Sequence, residues 1–196
     1  DPETRLNRFT VYILSTIPDR QTGYHSLITR PEGIDRSTFR DVMHNTLDLV
    51  TDEPVLERVW VSWDRGPTAN EGALKFEPWA KGLSVLLRGN RMERVEHCFS
   101  VYDLNNDGYI TRDEMFLLLK NSLLKQPGDE DPDEGVRDLV DLVLKKLDTD
   151  KDGRVSLDDY KQAVDVEPLL LEAFGQCLPT RRQAAVFMKN LNNQRS

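Results

Sequence analysis

A chain of 196 residues with 38% hydrophobic content can bury a core of ordinary size, as one domain or two small ones, and its formal net charge is -8. The acidity is local: residues 101–167 hold 18 acidic against 9 basic residues and the remainder 16 against 17, which argues against nucleic acid as a main partner. No run approaches the roughly 18 uninterrupted apolar residues of a membrane-spanning helix, and the start of the chain lacks the basic-then-apolar pattern of a secretory signal.

Two cysteines, Cys98 and Cys177, do not amount to a disulfide framework, and a reducing cytosolic space fits them. The chain begins Asp1, Pro2 without a methionine, so the native N-terminus is expected upstream and a lipidation signal there would not be visible.

Residues 5–14, RLNRFTVYIL, mix apolar and polar positions as a helix does and are followed by Pro18. From Ser15 to Arg36 the chain holds Pro18, Gly23, Pro31 and Gly33 and reads as loop. A second helix is expected over 37–48, capped by Ser37 or Asp35, with Phe39, Val42, Met43 and Leu47 along one face. A third, from Asp52 to Asp64, carries Val55, Leu56, Val59, Trp60 and Trp63 as its apolar stripe. The segment between Asp64 and Trp79 has the outline of a cation-binding loop, with Gly72 followed two residues later by Leu74, yet counting from Gly72 puts Pro67, Ala69 and Pro78 at the ligand positions. A hard cation needs at least about six oxygens, so the expectation is a structural hand held by packing.

The next helix, RMERVEHCFSVY, buries Val95, Cys98, Phe99 and Tyr102 on one face and leads into DLNNDGYITRDE, residues 103–114. Here Asp103, Asn105 and Asp107 stand at positions one, three and five, and Gly108 stands at six, where the chain must turn sharply. Tyr109 offers a backbone carbonyl, Thr111 acts through water, and Glu114 at position twelve reaches with both oxygens. This is an EF-hand loop in every position. The helix leaving it carries Met115, Phe116, Leu118, Leu119, Leu123 and Leu124, more apolar surface than one face needs.

A linker, KQPGDEDPDEG, separates it from a second copy of the pattern about 45 residues on. Val140, Val143, Leu144 and Leu147 precede DTDKDGRVSLDD, residues 148–159, in which Asp148, Asp150 and Asp152 hold positions one, three and five, Gly153 six and Ser156 nine. Position twelve is Asp159, one methylene shorter than glutamate. Weaker Ca2+ affinity or greater Mg2+ tolerance than at 103–114 is therefore expected. Ile110 and Val155, both at position eight, are expected to pair across a short ladder. The tail adds an apolar helix around Leu169, Leu170, Leu171 and Phe174, ending at Gly175, and a last helix from about Thr180 to Leu191. This apolar tail either fills a groove of the hand pair or packs outside it.

The run YDLNNDGYITRDEMFLLLKNSLLKQP, the following EDPDEG, the second loop with aspartate at position twelve, LLLEAFGQCLP and GLSVLLRG at 82–89 together resemble the calaxin family, ciliary relatives of the neuronal calcium sensors. The resemblance is close over about residues 82–179. It implies an all-α protein of four EF-hand units in two lobes: a degenerate pair over 1–88, a calcium-binding pair over 89–167, and a helical tail over 168–196. It implies Arg154, through its carbonyl, as the remaining ligand beside Asp148, Asp150, Asp152, Ser156 and Asp159. It also implies protein partners in the cilium or flagellum: outer-arm dynein, its docking complex, or tubulin of the doublet microtubules. The chain departs from the family at DRGPTANEGALKFEP, where relatives carry a regular acidic loop.

The expected function is thus a calcium sensor that modulates dynein-driven motility, the alternative being a calcium buffer or structural subunit without a switched target. Only Met92, Met115 and Met188 lie near the expected groove, which points to a narrow target range. No enzyme is expected, since His25, His44 and His97 are scattered and no phosphate-cradling glycine loop or serine elbow occurs.

Overall fold

The computed structural model describes residues 33–49, 53–65, 72–120 and 133–193. The helix expected at 5–14, most of the loop after it, Leu123, Leu124 and most of the linker lie outside the described residues. In chain order the elements are β1 (Ile34–Asp35), α1 (Arg36–Asp41), α2 (Glu53–Trp63), β2 (Ala73–Leu74), α3 (Phe76–Arg88), α4 (Arg91–Tyr102), β3 (Tyr109–Ile110), α5 (Arg112–Leu119), α6 (Glu134–Leu147), β4 (Val155–Ser156), α7 (Leu157–Val166) and α8 (Arg181–Asn193). The fold is all-α, its strands forming only two short ladders among the described residues. The chain divides into one unit of residues 1–50, 60–89 and 178–196 and a second of 51–59 and 90–177.

In the first unit, β1 runs antiparallel to β2 with Ile34 opposite Leu74. Strand β2 thus stands directly before α3 and is paired with β1. Asp35 caps α1, its carboxylate accepting from the Thr38 N–H and the Ser37 hydroxyl, both at 2.8 Å. The helix expected over 37–48 does not stay α-helical: from Val42 to Thr46 it widens into a π-turn, closed by the Leu47 N–H on the Val42 carbonyl at 3.0 Å. Phe39, Val42, Met43 and Leu47 are all buried, as are Trp60 and Trp63 of α2; Val55, Leu56 and Val59 of the same helix, also buried, belong to the second unit. Phe39 meets Trp60, Trp63 and Trp79 edge-on, at 5.2, 5.6 and 6.0 Å between ring centres. Gly82 faces Trp63, where a Cβ would lie 2.2 Å from the indole. Helix α8 packs on α3, with Ala184 and Phe187 buried.

The second unit holds α4 to α7. Asn90 and Glu93 form a reciprocal capping box at the start of α4, with bonds of 3.0 and 2.7 Å. At its other end, Arg58 of α2 donates to the carbonyls of Val101 and Asp103, at 3.4 and 3.0 Å, which satisfies acceptors that a helix C-terminus leaves open. Val95, Cys98, Phe99 and Tyr102 of α4 and Val140, Val143 and Leu147 of α6 are buried, while Leu144 is half-buried. Helix α5 packs on α6, burying Met115 and Leu119 and leaving Leu117 exposed.

The apolar helix expected in the tail is present in a tighter form. Pro168–Glu172 is a 3-10 helix. Three successive leucines on three-residue turns cannot all face inward: Leu170 is buried and Leu169 is 88% exposed. Leu170 and Phe174 fix this segment on α4 and α7, with the Phe174 ring 5.1 Å from Tyr102 and the Tyr160 hydroxyl donating to the Leu171 carbonyl at 2.5 Å.

Candidate metal centre

Both loops are shaped by the same set of backbone bonds, and the repeat visible in sequence is a repeat of geometry. Asp103 accepts from the N–H groups of Asp107 and Gly108 at 3.2 and 3.0 Å; Asp148 accepts from those of Asp152 and Gly153 at 3.2 and 2.9 Å. Position three accepts from the N–H of position five in each loop, Asn105 from Asp107 and Asp150 from Asp152. Position five accepts from the N–H of position seven, Asp107 from Tyr109 and Asp152 from Arg154. Asn106 and Lys151, both at position four, have φ of 59° and 62°, and Gly108 and Gly153 both have φ of 90°. These left-handed turns aim the first three side-chain oxygens toward the loop centre, which explains the glycine at position six.

The ladder couples the loops as expected: Ile110 stands opposite Val155 and Tyr109 opposite Ser156. Thr111, predicted to act through water, and Ser156, at the same position nine of the second loop, are also the N-caps of α5 and α7. Each forms a capping box with the residue at position twelve, Glu114 or Asp159. The sequence spacing S/T-x-x-E/D held that second role in plain view.

Position twelve distinguishes the loops. Glu114 is 6% exposed; one carboxylate oxygen accepts from the N–H groups of Leu104 and Asn105 at 2.8 and 3.1 Å, the other from Thr111. The shorter Asp159 instead meets the Thr149 hydroxyl at position two, and its other oxygen accepts from Ser156 at 2.5 and 3.0 Å. Thr149 thus bridges a gap that the glutamate spans alone.

Position five is also held differently. The outer oxygen of Asp107 takes the Asn105 amide at 2.9 Å, whereas that of Asp152 takes the Arg154 guanidinium at 3.1 Å. Arg154, considered from sequence only for its carbonyl, thus has a side chain directed at the carboxylate of a candidate ligand.

Burial and the neighbouring Glu114 and Asp107 charges raise the Asp103 carboxyl above its usual range against the pull of the Gly108 and Asp107 N–H groups. Loss of hydration, with repulsion from Asp152 and Asp159, likewise raises Asp150. Burial would also raise Asp159, but hydrogen bonds from Ser156 and Thr149 outweigh it and hold that carboxyl low. Two carboxylates in excess of their local positive partners are what a cation would relieve.

Oxygens of Asp148, Asp150 and Asp152 lie within 4.8 Å of one another, the one such group of three acidic, histidine or cysteine side chains among the described residues. An oxygen-only donor set suits a hard cation such as calcium rather than zinc. In the N-terminal unit, Gly72 has φ of 83° and Leu74 is paired, but no comparable group occurs there among the described residues.

Residues 92–164 match the family model of an EF-hand domain pair. The chain is 50% identical over 170 residues to "Calaxin" of Xenopus laevis, covering 84% of this chain and 80% of that protein. It is 50% identical over 155 residues to "Calaxin" of Bos taurus, covering 79% and 71%, and 49% identical over 155 residues to "Calaxin" of Homo sapiens, covering 79% and 72%. Two loops built on one hydrogen-bond frame and half-identical relatives over most of their length lead to one assignment: this chain belongs to the calaxin family of calcium-binding EF-hand proteins.

Proposed function

We propose that the chain is a calcium sensor and adaptor of the ciliary or flagellar axoneme, associated with outer dynein arms or their docking complex and modulating motility in response to calcium. The ions would be held by Asp103, Asn105, Asp107, Tyr109, Thr111 and Glu114, and by Asp148, Asp150, Asp152, Arg154, Ser156 and Asp159. Calcium supplies the positive charge that these converging oxygens lack. Magnesium competes best at 148–159, where position twelve is short.

The observation that carries this reading is that Glu114 and Asp159 belong at once to the loops and to the first turns of α5 and α7. Any shift of their oxygens must turn those helices, and α5 packs on α6. Partners are proteins, with dynein-arm, docking-complex and tubulin surfaces as the candidates that the family suggests. No catalytic chemistry is assigned. Among the described residues no helix is long and apolar enough to cross a membrane.

The test is rebinding of the purified chain to salt-extracted axonemes, with calcium and with chelator, followed by cross-linking to name the neighbour. Binding to no axonemal component under either condition would sink the axonemal reading while leaving calcium binding intact.

One feature favours the alternative of a buffer or structural subunit. Both position-twelve carboxylates are held by groups of their own loops, Glu114 by the Leu104 and Asn105 N–H groups and Asp159 by the Thr149 hydroxyl, a seating that leaves little opening for an ion to drive. Apolar-dye fluorescence separates the two: a rise with calcium supports the sensor and a flat response the buffer.

A further inference from the structure

Cys98 and Cys177 are separated by 79 residues, yet their sulfurs lie 3.2 Å apart and both side chains are fully buried. The contact joins α4 to the tail beyond the 3-10 helix, and three neighbours fix the tail cysteine in place. Its N–H donates to the Glu172 carboxylate at 2.9 Å. Its carbonyl accepts from Nε2 of His97 at 3.2 Å, and burial, working against that bond, holds this imidazole neutral by lowering its pKa to about 4. Its sulfur lies 3.4 Å from the Tyr102 hydroxyl, which also donates to the Gly175 carbonyl at 2.5 Å. With both backbone groups of Cys177 engaged, its sulfur is seated between the Cys98 sulfur and the Tyr102 hydroxyl.

We propose that Cys98 and Cys177 are a reversible redox pair whose intramolecular disulfide, formed by a hydroperoxide, fastens the tail to the helix that enters the first calcium loop. The chemistry balances with the peroxide as oxidant. One thiolate sulfur attacks a peroxide oxygen, the O–O bond breaks, and hydroxide or alkoxide leaves and takes up the proton. The resulting sulfenic acid is attacked by the second sulfur; the S–S bond forms, the S–O bond breaks, and water leaves with the second proton. Two electrons pass from sulfur to peroxide oxygen, and a dithiol reverses the reaction.

Burial first, then the bond to Cys177, raises the Cys98 thiol well above its ordinary value. The seated pair is therefore slow to react, and oxidation proceeds when residues 173–177 lift from α4. A reducing compartment keeps such a pair open by default and makes its closure a signal rather than a scaffold. The inference is independent of whether the loops act as a sensor.

The test uses the full chain, reduced and then treated with hydrogen peroxide in chelator. Intact mass should fall by two hydrogens, one linked peptide should contain both Cys98 and Cys177, and dithiothreitol should restore the thiols. Amide exchange over 168–178 should slow at least about tenfold in the oxidised chain. Cys177→Ser and Cys98→Ser should each abolish the linked peptide. Disulfide-linked dimers, sulfinic acids without a cross-link, or unchanged thiols in the wild-type chain would overturn the pair. A cross-link that left exchange over 168–178 unaltered would overturn the fastening.

Discussion

The guanidinium of Arg154 lies 3.7 Å over the ring of Tyr109, so position seven of one loop rests on position seven of the other. The same guanidinium bonds the outer oxygen of Asp152. It therefore places a positive charge beside a proposed ligand of the second loop while contacting the first. Arg154→Ala should raise calcium affinity at 148–159 by about two- to fivefold at low salt, the modest size following from an exposed pair. Tyr109→Leu should weaken the coupling between the two binding steps. Calorimetric titration reads both, and a loss of affinity in Arg154→Ala would show that the contact supports the loop instead.

Glu114→Gln should lower calcium affinity at least about tenfold and more than Asp159→Asn does, because Glu114 reaches the loop backbone unaided. Asp159 already shares its hold with Thr149. Titrating the two variants side by side is sufficient, and equal losses would reverse the ranking of the loops.

Gly82 has no room for a side chain, since its Cβ would enter the Trp63 ring. Gly82→Ala should destabilise the N-terminal unit by about 1–3 kcal/mol, as overpacking does. The denaturant midpoint followed by tryptophan fluorescence should fall accordingly, with the calcium affinities of the two loops unchanged.

His97 should make stability depend on pH in one window. Unfolded, it titrates near 6.5; folded, burial lowers this to about 4. Between those values the unfolded chain binds more protons. The contribution of His97 is therefore complete above pH 6.5 and lost as pH falls toward 4, on the order of 3 kcal/mol in full. His97→Gln should flatten the urea midpoint across that interval in chelator, and an undiminished slope would assign the effect to other groups.

Periodicity was enough to place most helices and their buried faces because each face repeats every three to four residues. Val42, Met43 and Leu47 are inside as their spacing implied, but the π-turn they share depends on a carbonyl five residues back, which composition does not encode. The repeat of the two loops was legible, and so was the Ile110–Val155 pairing. What sequence left hidden was long-range or dual in role. Cys98 read as core, and nothing local connects it to Cys177. Arg58 carries no mark that it serves carbonyls 43 and 45 residues away. The tail leucines looked like one apolar face, whereas the proline at 168 and the tighter 3-10 winding leave Leu169 in solvent.

The glycines at position six have a bearing on how the molecule ages. Asp107–Gly108 and Asp152–Gly153 are the dipeptides most prone to isomerise through a cyclic imide, which forms when the glycine nitrogen attacks the preceding side chain. Here both glycine N–H groups are held by the first carboxylate of the loop, and both aspartates are held by the residue at position seven. The bonds that shape each loop also keep nucleophile and electrophile apart. Isoaspartate should accumulate at 107 and 152 far more slowly in the folded chain than in its urea-unfolded form, as peptide mapping after incubation would show. The same frame that gathers oxygens for a cation thus preserves the covalent backbone through them.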